Sequence, residues 1–399
     1  MATKLFTPTV ESFMDSPAMS GQAMLGSGDL YKRGSRGVAM MHPKIAGNPA
    51  KYKMALAECE QFIDRVLKGR VRTWRLQEAM SNDLFPLMHA DALDRKMYAA
   101  YTAWPKTWNR YIRRSLVTDF RKVKRFANTG VRGLLQIVPE LAEHPERTTA
   151  ELAYEYAVSK YEAGFGYSFE SMVNDDLGMY SRLHLDLAQS AVDTEEYFAA
   201  GLLADANGPN ATYFNLANDN VATANAPLNR TNLQNALTRL LKRKDDRGNP
   251  ITITAVELVV APGLQLTAND IINTTEYRIV DASGNVSIIT GNGISANLRV
   301  SVNAQLPAVI TTAAADTSWW LMASPESARP AAEMGFLAGY EEPALYEKIP
   351  DMRRFGGGAE VMWSFDFGDA HKKVQHILGG TFIDPRMTIA SKGDNSAVS

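Results

Sequence analysis

The hydrophobic pattern of the chain changes period twice between Leu116 and Ala204. Residues 115–129, SLVTDFRKVKRFANT, are mostly charged and polar and offer little that would form a core. Residues 151–170, ELAYEYAVSKYEAGFGYSFE, put Tyr154, Tyr156 and Val158 at every second position, followed by Tyr161, Phe165 and Tyr167. That alternation is the period of a strand with one apolar face. The two stretches predict the arms of a long hairpin over residues 116–170. Arms of about 20 residues reach roughly 65 Å at about 3.3 Å per residue, and a lone two-stranded ribbon is marginal in water. Something else must cover it, and the expected cover is another copy of the same chain.

After the hairpin the period becomes helical. Leu177, Tyr180, Leu183, Leu187, Ala191, Phe198 and Leu202 trace one face. Asn174 suits an N-cap, with Asp175 and Asp176 in the first turn where they meet the positive end of the helix dipole. Asn207-Gly208-Pro209 stops the element. The predicted helix, Asp176–Ala204, has about 28 residues and spans roughly 42 Å.

On the N-terminal side, residues 1–50 are rich in Gly, Ser, Met and Pro without periodicity and predict a flexible arm. Three- and four-residue steps predict a short helix over 51–68 and a helical block over 73–104, broken near Pro86 and stopped by Pro105. On the C-terminal side the pattern predicts a helix Leu228–Leu241, capped by Asn229 or Thr231. Strands follow in ITITAVELVVAP, TEYRIVDASGNVSIIT, GNGISANLRVSV and TSWWLMAS. Residues 335–348, GFLAGYEEPALYEK, read as irregular or strand-like. VMWSFDFGD and HKKVQHILGGTFID alternate and are expected to pair as a hairpin. The polar tail from Met387 is expected to be loose.

Composition adds mainly exclusions. The 399 residues are 45% hydrophobic and 22% charged, ordinary for a globular protein. A net charge of −2 predicts no strong overall pull toward nucleic acid or membrane. Cys59 is the single cysteine, which excludes an intrachain disulfide and a cysteine-based zinc site. The first residues, MATKLFTPTVESFMDSP, lack the basic and apolar regions of a signal peptide. No run approaches the roughly 18 apolar residues of a spanning helix, so no membrane partner is expected.

Charge is distributed unevenly. Between Lys106 and Arg132 nine bases stand against Asp119 alone, interleaved with Trp108, Tyr111, Phe120 and Phe126. Such a window suits an interface between subunits or nonspecific contact with nucleic acid phosphates. The far end of the hairpin is acidic, with Glu140, Glu143, Glu146 and Glu151 against Arg147. Head-to-tail packing of copies would bring opposite charges together, which sets register more than it adds affinity. The expected intersubunit residues are Arg121, Lys122, Lys124, Arg125, Glu140, Glu143, Glu146, Tyr154 and Tyr156.

No catalytic set emerges. Asp366-Phe367-Gly368 matches a kinase metal-binding tripeptide, but the other kinase motifs are missing. Asp366, Asp369, His371 and His376 are close in sequence, yet 371 and 376 face opposite sides of an alternating strand. There is no G-x-S-x-G and no P-loop. The chain is therefore not expected to be an enzyme, and no catalytic residue, metal or cofactor is predicted. A hydrolase using the Asp366/His371 region is the weaker alternative.

The order of elements resembles the major capsid proteins of tailed bacteriophages, which have the HK97-type fold, and most of all the Mu-like major head subunits. Val117-Thr118-Asp119-Phe120-Arg121 is similar to the V-x-D-F-R run before the hairpin in those proteins. Tyr156 to Tyr161, Phe165 to Ser168 and Asn174 to Leu177 are similar to their Y-x-V-x-K-Y, F-x-Y-S and N-D-D-L patterns. Arg329-Pro330 and the run Phe336 to Pro343 resemble their R-P…F-L-x-G-x-E-x-P passage. The resemblance covers about Leu76 to Asp384.

The resemblance implies an α+β capsid fold with seven parts. These are a flexible arm at 1–50, a helical region at 51–115, the extended hairpin loop at 116–170, and a peripheral domain with the spine helix at 171–212. The axial domain follows at 213–345, the returning peripheral strands at 346–386 and a loose tail at 387–399. It implies a structural protein that self-assembles into hexamers and pentamers of an icosahedral shell around double-stranded DNA, in the virion and assembled in the bacterial cytoplasm. The implied partners are further copies of itself, a portal, scaffold or decoration proteins, and packaged DNA touched nonspecifically. Whether residues 51–104 are scaffold-like or a retained arm stays open. Lys122, Lys124 and Lys160 lie on the hairpin, but no partner asparagine can be chosen, so no crosslink is predicted. An encapsulin-like compartment with a cargo enzyme shares the fold and is the alternative function.

Overall fold

The computed structural model describes residues 65, 97–129, 150–168, 170–171, 174, 179–245, 248–253, 255–280, 286–290, 293, 298–327, 329–348, 352–353, 360–361 and 364–397. The predicted arm at 1–50, nearly all of the helices expected over 51–96 and the acidic hairpin tip lie outside the described residues. The chain forms two compact units. The first comprises Met1–Pro105, Lys160–Val192 and Leu337–Ile377; the second comprises Lys106–Ser159, Asp193–Phe336 and Leu378–Ser399.

Residues 97–103 are helical, and Pro105 follows, where the missing N–H bars continuation. A 3-10 turn at Trp108–Arg110 leads to β1 (Arg113–Val117). β2 (Val123–Thr129) and β3 (Ala150–Tyr156) pair antiparallel, Val123 opposite Tyr156 and Thr129 opposite Ala150. This is the predicted hairpin, with one correction. The return arm does not stay in the ribbon as far as Glu170. It breaks at Ala157 and Val158, and β4 (Ser159–Ser168) pairs instead with a strand near the C-terminus.

The long helix α1 (Met179–Leu203) has 25 residues. Residues 175–178, between it and the predicted cap, lie outside the described residues; the N–H of Asn174 donates to the Glu170 carbonyl at 2.9 Å. Leu187, Ala188, Ala191 and Val192 pack with Met97, Tyr101 and Val374 in the first unit. Ala199, Ala200 and Leu203 belong to the main core of the second. α2 (Arg230–Leu241) is capped by Asn229, whose side chain accepts from the Asn232 N–H at 2.8 Å. β5 (Val256–Val260), α3 (Gln265–Asn273), the hairpin of β6 (Glu276–Val280) and β7 (Val286–Thr290), β8 (Leu298–Val302) and β9 (Trp319–Ala323) fall in the predicted strand windows or between them.

The C-terminal third departs from expectation in part. Of the two readings open for residues 335–348, the strand-like one holds: β10 (Ala332–Leu337) and β11 (Ala344–Glu347) flank a turn. β12 (Asp369–Phe382) does not pair with VMWSFDFGD. Its second half pairs antiparallel with β10, Ala332 opposite Phe382, and its first half with β11, Ala344 opposite Gln375. Val361, the first residue of the expected partner, lies in the short strand Glu360–Val361, which pairs with Met352–Arg353; residues 362 and 363 lie outside the described residues. Residues 364–369 turn, closed by the Ser364 N–H donating to the Asp369 carbonyl at 2.9 Å, with Gly368 at φ +62°. Alternation marks a strand but does not name its neighbour. The tail is not loose at its start either. β13 (Thr388–Ser391) is buried at every residue, and Met387, Ile389 and Ala390 are wholly enclosed. Its hydroxyls are satisfied: Thr388 donates to the Pro385 carbonyl at 2.9 Å and Ser391 to the Ala226 carbonyl at 2.7 Å.

The second unit is organised around the sheet β8-β5-β9-β13, parallel between β5 and β8 and antiparallel elsewhere. Both faces are covered, and period two divides the side chains between them. Val256, Leu258 and Val260 join a cluster with Leu233 and Leu240 of α2, whereas Val259 joins the cluster built on Trp108, Tyr111 and α1. The adjacent Trp319 and Trp320, both fully buried, go one to each side. Their indoles would leave costly unpaired donors in an apolar core. Trp319 Nε1 donates to the Ala226 carbonyl at 3.1 Å, and Trp320 Nε1 donates to the Leu203 carbonyl at 3.2 Å. Leu203 is the last residue of α1, so the indole supplies a partner to a helix-end carbonyl that has none within the helix. Replacing Trp320 by Phe keeps an aromatic ring and removes that donor. Chemical denaturation should show a loss of about 1–3 kcal/mol; an unchanged midpoint would contradict this role for the indole.

Candidate assembly site at the root of the hairpin

The ribbon leaves the body through β1 and returns through Ala157, and buried carboxylates hold both passages. On the way in, Glu195 and Glu196 of α1, both buried, receive the 3-10 turn. Thr107 donates its N–H and its Oγ1 to Glu196, the latter at 2.7 Å, and the Trp108 N–H reaches the same carboxylate at 3.2 Å. Trp108 Nε1 donates to Glu195 at 2.8 Å, with the Lys106 ammonium 3.7 Å from that carboxylate. These contacts satisfy N–H groups that the short turn leaves free at its start. Burial pushes the Glu196 carboxyl above its ordinary value, against the donors at Thr107 and Trp108.

The way back is held by Glu333 of β10, only 5% exposed. Tyr156 donates its hydroxyl to Glu333 Oε1 at 2.7 Å, and Arg125 Nε donates to the same oxygen at 2.9 Å. Ser115 Oγ lies 2.9 Å from the Tyr156 hydroxyl, and Arg125 also reaches the Leu116 carbonyl at 3.2 Å. One carboxylate thus joins β1, β2 and β3 to β10. Burial pushes Glu333 up, but the Tyr156 and Ser115 hydroxyls and the Arg125 guanidinium together hold it below the ordinary carboxylate range. Burial raises Tyr156, which keeps its phenol protonated as a donor.

Two glycines let the backbones approach. A Cβ on Gly335 would sit 2.6 Å from the Tyr156 hydroxyl oxygen and 2.7 Å from Val117 Cγ2. One on Gly379 would fall 2.2 Å from the Ala157 carbonyl oxygen and 2.8 Å from Val158 Cα. The second contact is backbone against backbone and has no side chain that could move aside. It is also where the return arm breaks out of the ribbon, so the missing Cβ at Gly379 gives the break its place.

The expected intersubunit residues divide into groups. Arg121 and Lys122 are exposed in the bend between β1 and β2. Lys124 is exposed and lies opposite Glu155, 3.2 Å away. Such a solvated pair contributes about 0–1 kcal/mol. Tyr154 is half-buried. Arg125 and Tyr156 spend their polar groups on Glu333 of their own chain. Glu140, Glu143 and Glu146 lie outside the described residues. Glu195, Glu196 and Glu333 were missed at the sequence level, because no local pattern distinguishes a buried glutamate from a solvated one.

Among the described residues, the Asp366/His371 region does not form a serine–histidine–aspartate relay. Asp366 is exposed on the turn. Asp369 stands between Ser364, which donates to Oδ1, and His371, whose Nε2 is 2.6 Å from Oδ2. A serine nucleophile needs the imidazole as its base, with the carboxylate behind the imidazole; here the hydroxyl faces the carboxylate. His376 is buried edge-on to Tyr101, ring centroids 5.9 Å apart. Among the described residues, no three metal-ligating side chains converge.

A family model described as phage capsid protein matches residues 152–387, more than half of the chain. The chain belongs to this phage capsid protein family. It is a major capsid protein of the HK97-type α+β fold, a structural subunit of an icosahedral phage shell. A search of curated proteins gives no match. Among solved structures, the capsid protein is similar to a chain from Microbacterium phage Oxtober96, at 8% identity over 72% of this chain and 92% of that one, with a TM-score of 0.42. It is similar to the capsid of Cyanophage P-SCSP1u at 12% identity over 74% and 89%, TM-score 0.46. It is also similar to the capsid of an empty GTA particle at 10% identity over 72% and 90%, TM-score 0.43.

Two measurements test the root. Because the Glu333 value is depressed in the folded capsid protein, its contribution is complete above its ordinary value of 4.5 and is lost as pH falls through the lowered value. Glu333→Gln should lower unfolding free energy at pH 7 by roughly 1–3 kcal/mol and flatten the loss of stability below about pH 4.5. An acid limb identical to wild type would contradict the clamp. Gly379→Ala should cost about 1–3 kcal/mol or more through overpacking, read from the thermal midpoint; a midpoint at the wild-type value would mean that the approach is not tight.

Proposed function

We propose that the capsid protein assembles hexamers and pentamers in which the β2–β3 ribbon of each subunit lies on a neighbouring copy. The observation that carries this reading is that, among the described residues, β2 and β3 pair only with each other, while Glu333 fixes their root. A two-stranded ribbon with both edges open gains stability by being covered, and a fixed root removes entropy that binding would otherwise cost. Arg121, Lys122, Lys124 and Tyr154 make the contact from the root, and Glu140, Glu143 and Glu146 meet the basic root of the next copy. Arg125 and Tyr156 act indirectly, by holding the ribbon in position. Contacts of this kind on every subunit sum over a closed shell, so each one is allowed to be modest.

The same reading places double-stranded DNA inside the shell, touched nonspecifically, with assembly in the bacterial cytoplasm and with a portal and scaffold or decoration proteins as partners. The Mu-like head subunits are the expected nearest kin. Electron microscopy of the purified full chain tests assembly. Closed shells containing DNA are expected; shells filled with a protein cargo would favour the encapsulin-like alternative. The triple variant Arg121→Glu, Lys122→Glu, Lys124→Glu should remain folded by circular dichroism, yield few shells and make the residual yield depend on salt. Wild-type yield across ionic strength would overturn the interface.

A further inference from the structure

A second basic cluster lies far along the chain from the Lys106–Arg132 window. A cavity of about 610 Å³ in the second unit is lined by Arg239, Lys242, Arg243 and Lys244 around the end of α2, by Arg386 and by the carboxylate of Asp219. Part of this charge is structural. Arg239 donates to the carbonyls of Val221 at 2.7 Å and Asp219 at 2.9 Å, Arg243 donates to the Asp219 carbonyl, and both pair with the Asp219 carboxylate. The carboxylates are shared. Asp219 serves two guanidiniums, and Asp384 serves both Arg386 at 3.2 Å and Arg329 at 3.4 Å. Lys242 and Lys244 are exposed and have no carboxylate partner among the described residues.

The Arg243 side chain is only 10% exposed, yet its buried Nε has no hydrogen-bond partner. Burial and the charges of Arg239 and Arg386 pull its guanidinium below the ordinary value despite Asp219. Cations at a helix C-terminus complement its dipole, which accounts for Lys242 and Arg243. It does not account for Arg386, which comes from the segment after β12, or for a buried guanidinium nitrogen left unpaired.

We propose that this cavity binds a phosphate-type oxyanion, held by Lys242, Lys244, Arg386 and the free Nε edge of Arg243. Guanidinium forks and ammonium groups converging from two segments suit an anion with several equivalent oxygens. The phosphate group has two possible sources, a free phosphate or the backbone of a DNA duplex. The proposal goes beyond the assembly reading and does not depend on it, since the cavity belongs to a single chain.

The full-length protein is titrated calorimetrically with inorganic phosphate at fixed ionic strength, and a 20-base-pair duplex is followed by fluorescence anisotropy across salt concentrations. Lys242→Gln with Lys244→Gln, both at exposed positions, should weaken binding about tenfold and make the duplex salt slope shallower by about 2. Arg243→Lys keeps the charge and removes the fork; it should weaken inorganic phosphate binding when titrated at a temperature where circular dichroism shows the variant folded. Binding of phosphate alone assigns the site to a small anion, and binding of duplex alone assigns it to backbone phosphate. No binding of either, or binding that the lysine variants leave untouched, overturns the proposal.

Discussion

The buried carboxylate of Glu333 is the contact on which the rest of the assembly apparatus depends. A ribbon two strands wide has no core of its own, so its position must come from its base. Tyr156 and Arg125 both end on one Glu333 oxygen, and Ser115 braces the phenol. The balance is asymmetric. With all partners present, the cost of burying the charge is offset by two donors, one of them cationic. Without them, the enclosed carboxylate is left unpaired, and that penalty exceeds the value of any one hydrogen bond. The ribbon root is therefore held in one arrangement.

Packing strengthens what the charge begins. Gly335 and Gly379 remove the side chains that would keep Tyr156 and Ala157 at a distance, and Glu195 and Glu196 secure the entering strand through Thr107 and Trp108. Behind them lies a sheet covered on both faces, with Trp319 and Trp320 filling opposite sides. A fixed base leaves less entropy to be lost when the ribbon is covered.

Charge is used in two ways in this capsid protein. Where a base meets a buried acid, as at Glu333, it is structural. Where bases outnumber the acids they share, as around Asp219 and Asp384, positive potential remains at the surface of the second unit. A net charge near zero hides both arrangements, because they cancel in the sum and not in space.

Much of the architecture was legible in the order of the residues. Period two marked the ribbon, a helical period marked α1, and Asn229 and Pro105 marked ends, because these signals are local and act within a few residues. Where a strand finds its partner is not local. β12 pairs with β10 and β11 rather than with the adjacent VMWSFDFGD, and β13 is a buried edge strand rather than part of a loose tail, because sheet order follows from which faces can be buried together. Likewise Arg125, Tyr156 and Glu333 are ordinary polar residues in sequence, separated by up to 208 positions. Only the folded chain removes water from around them, and that desolvation turns three unremarkable side chains into the anchor of the ribbon.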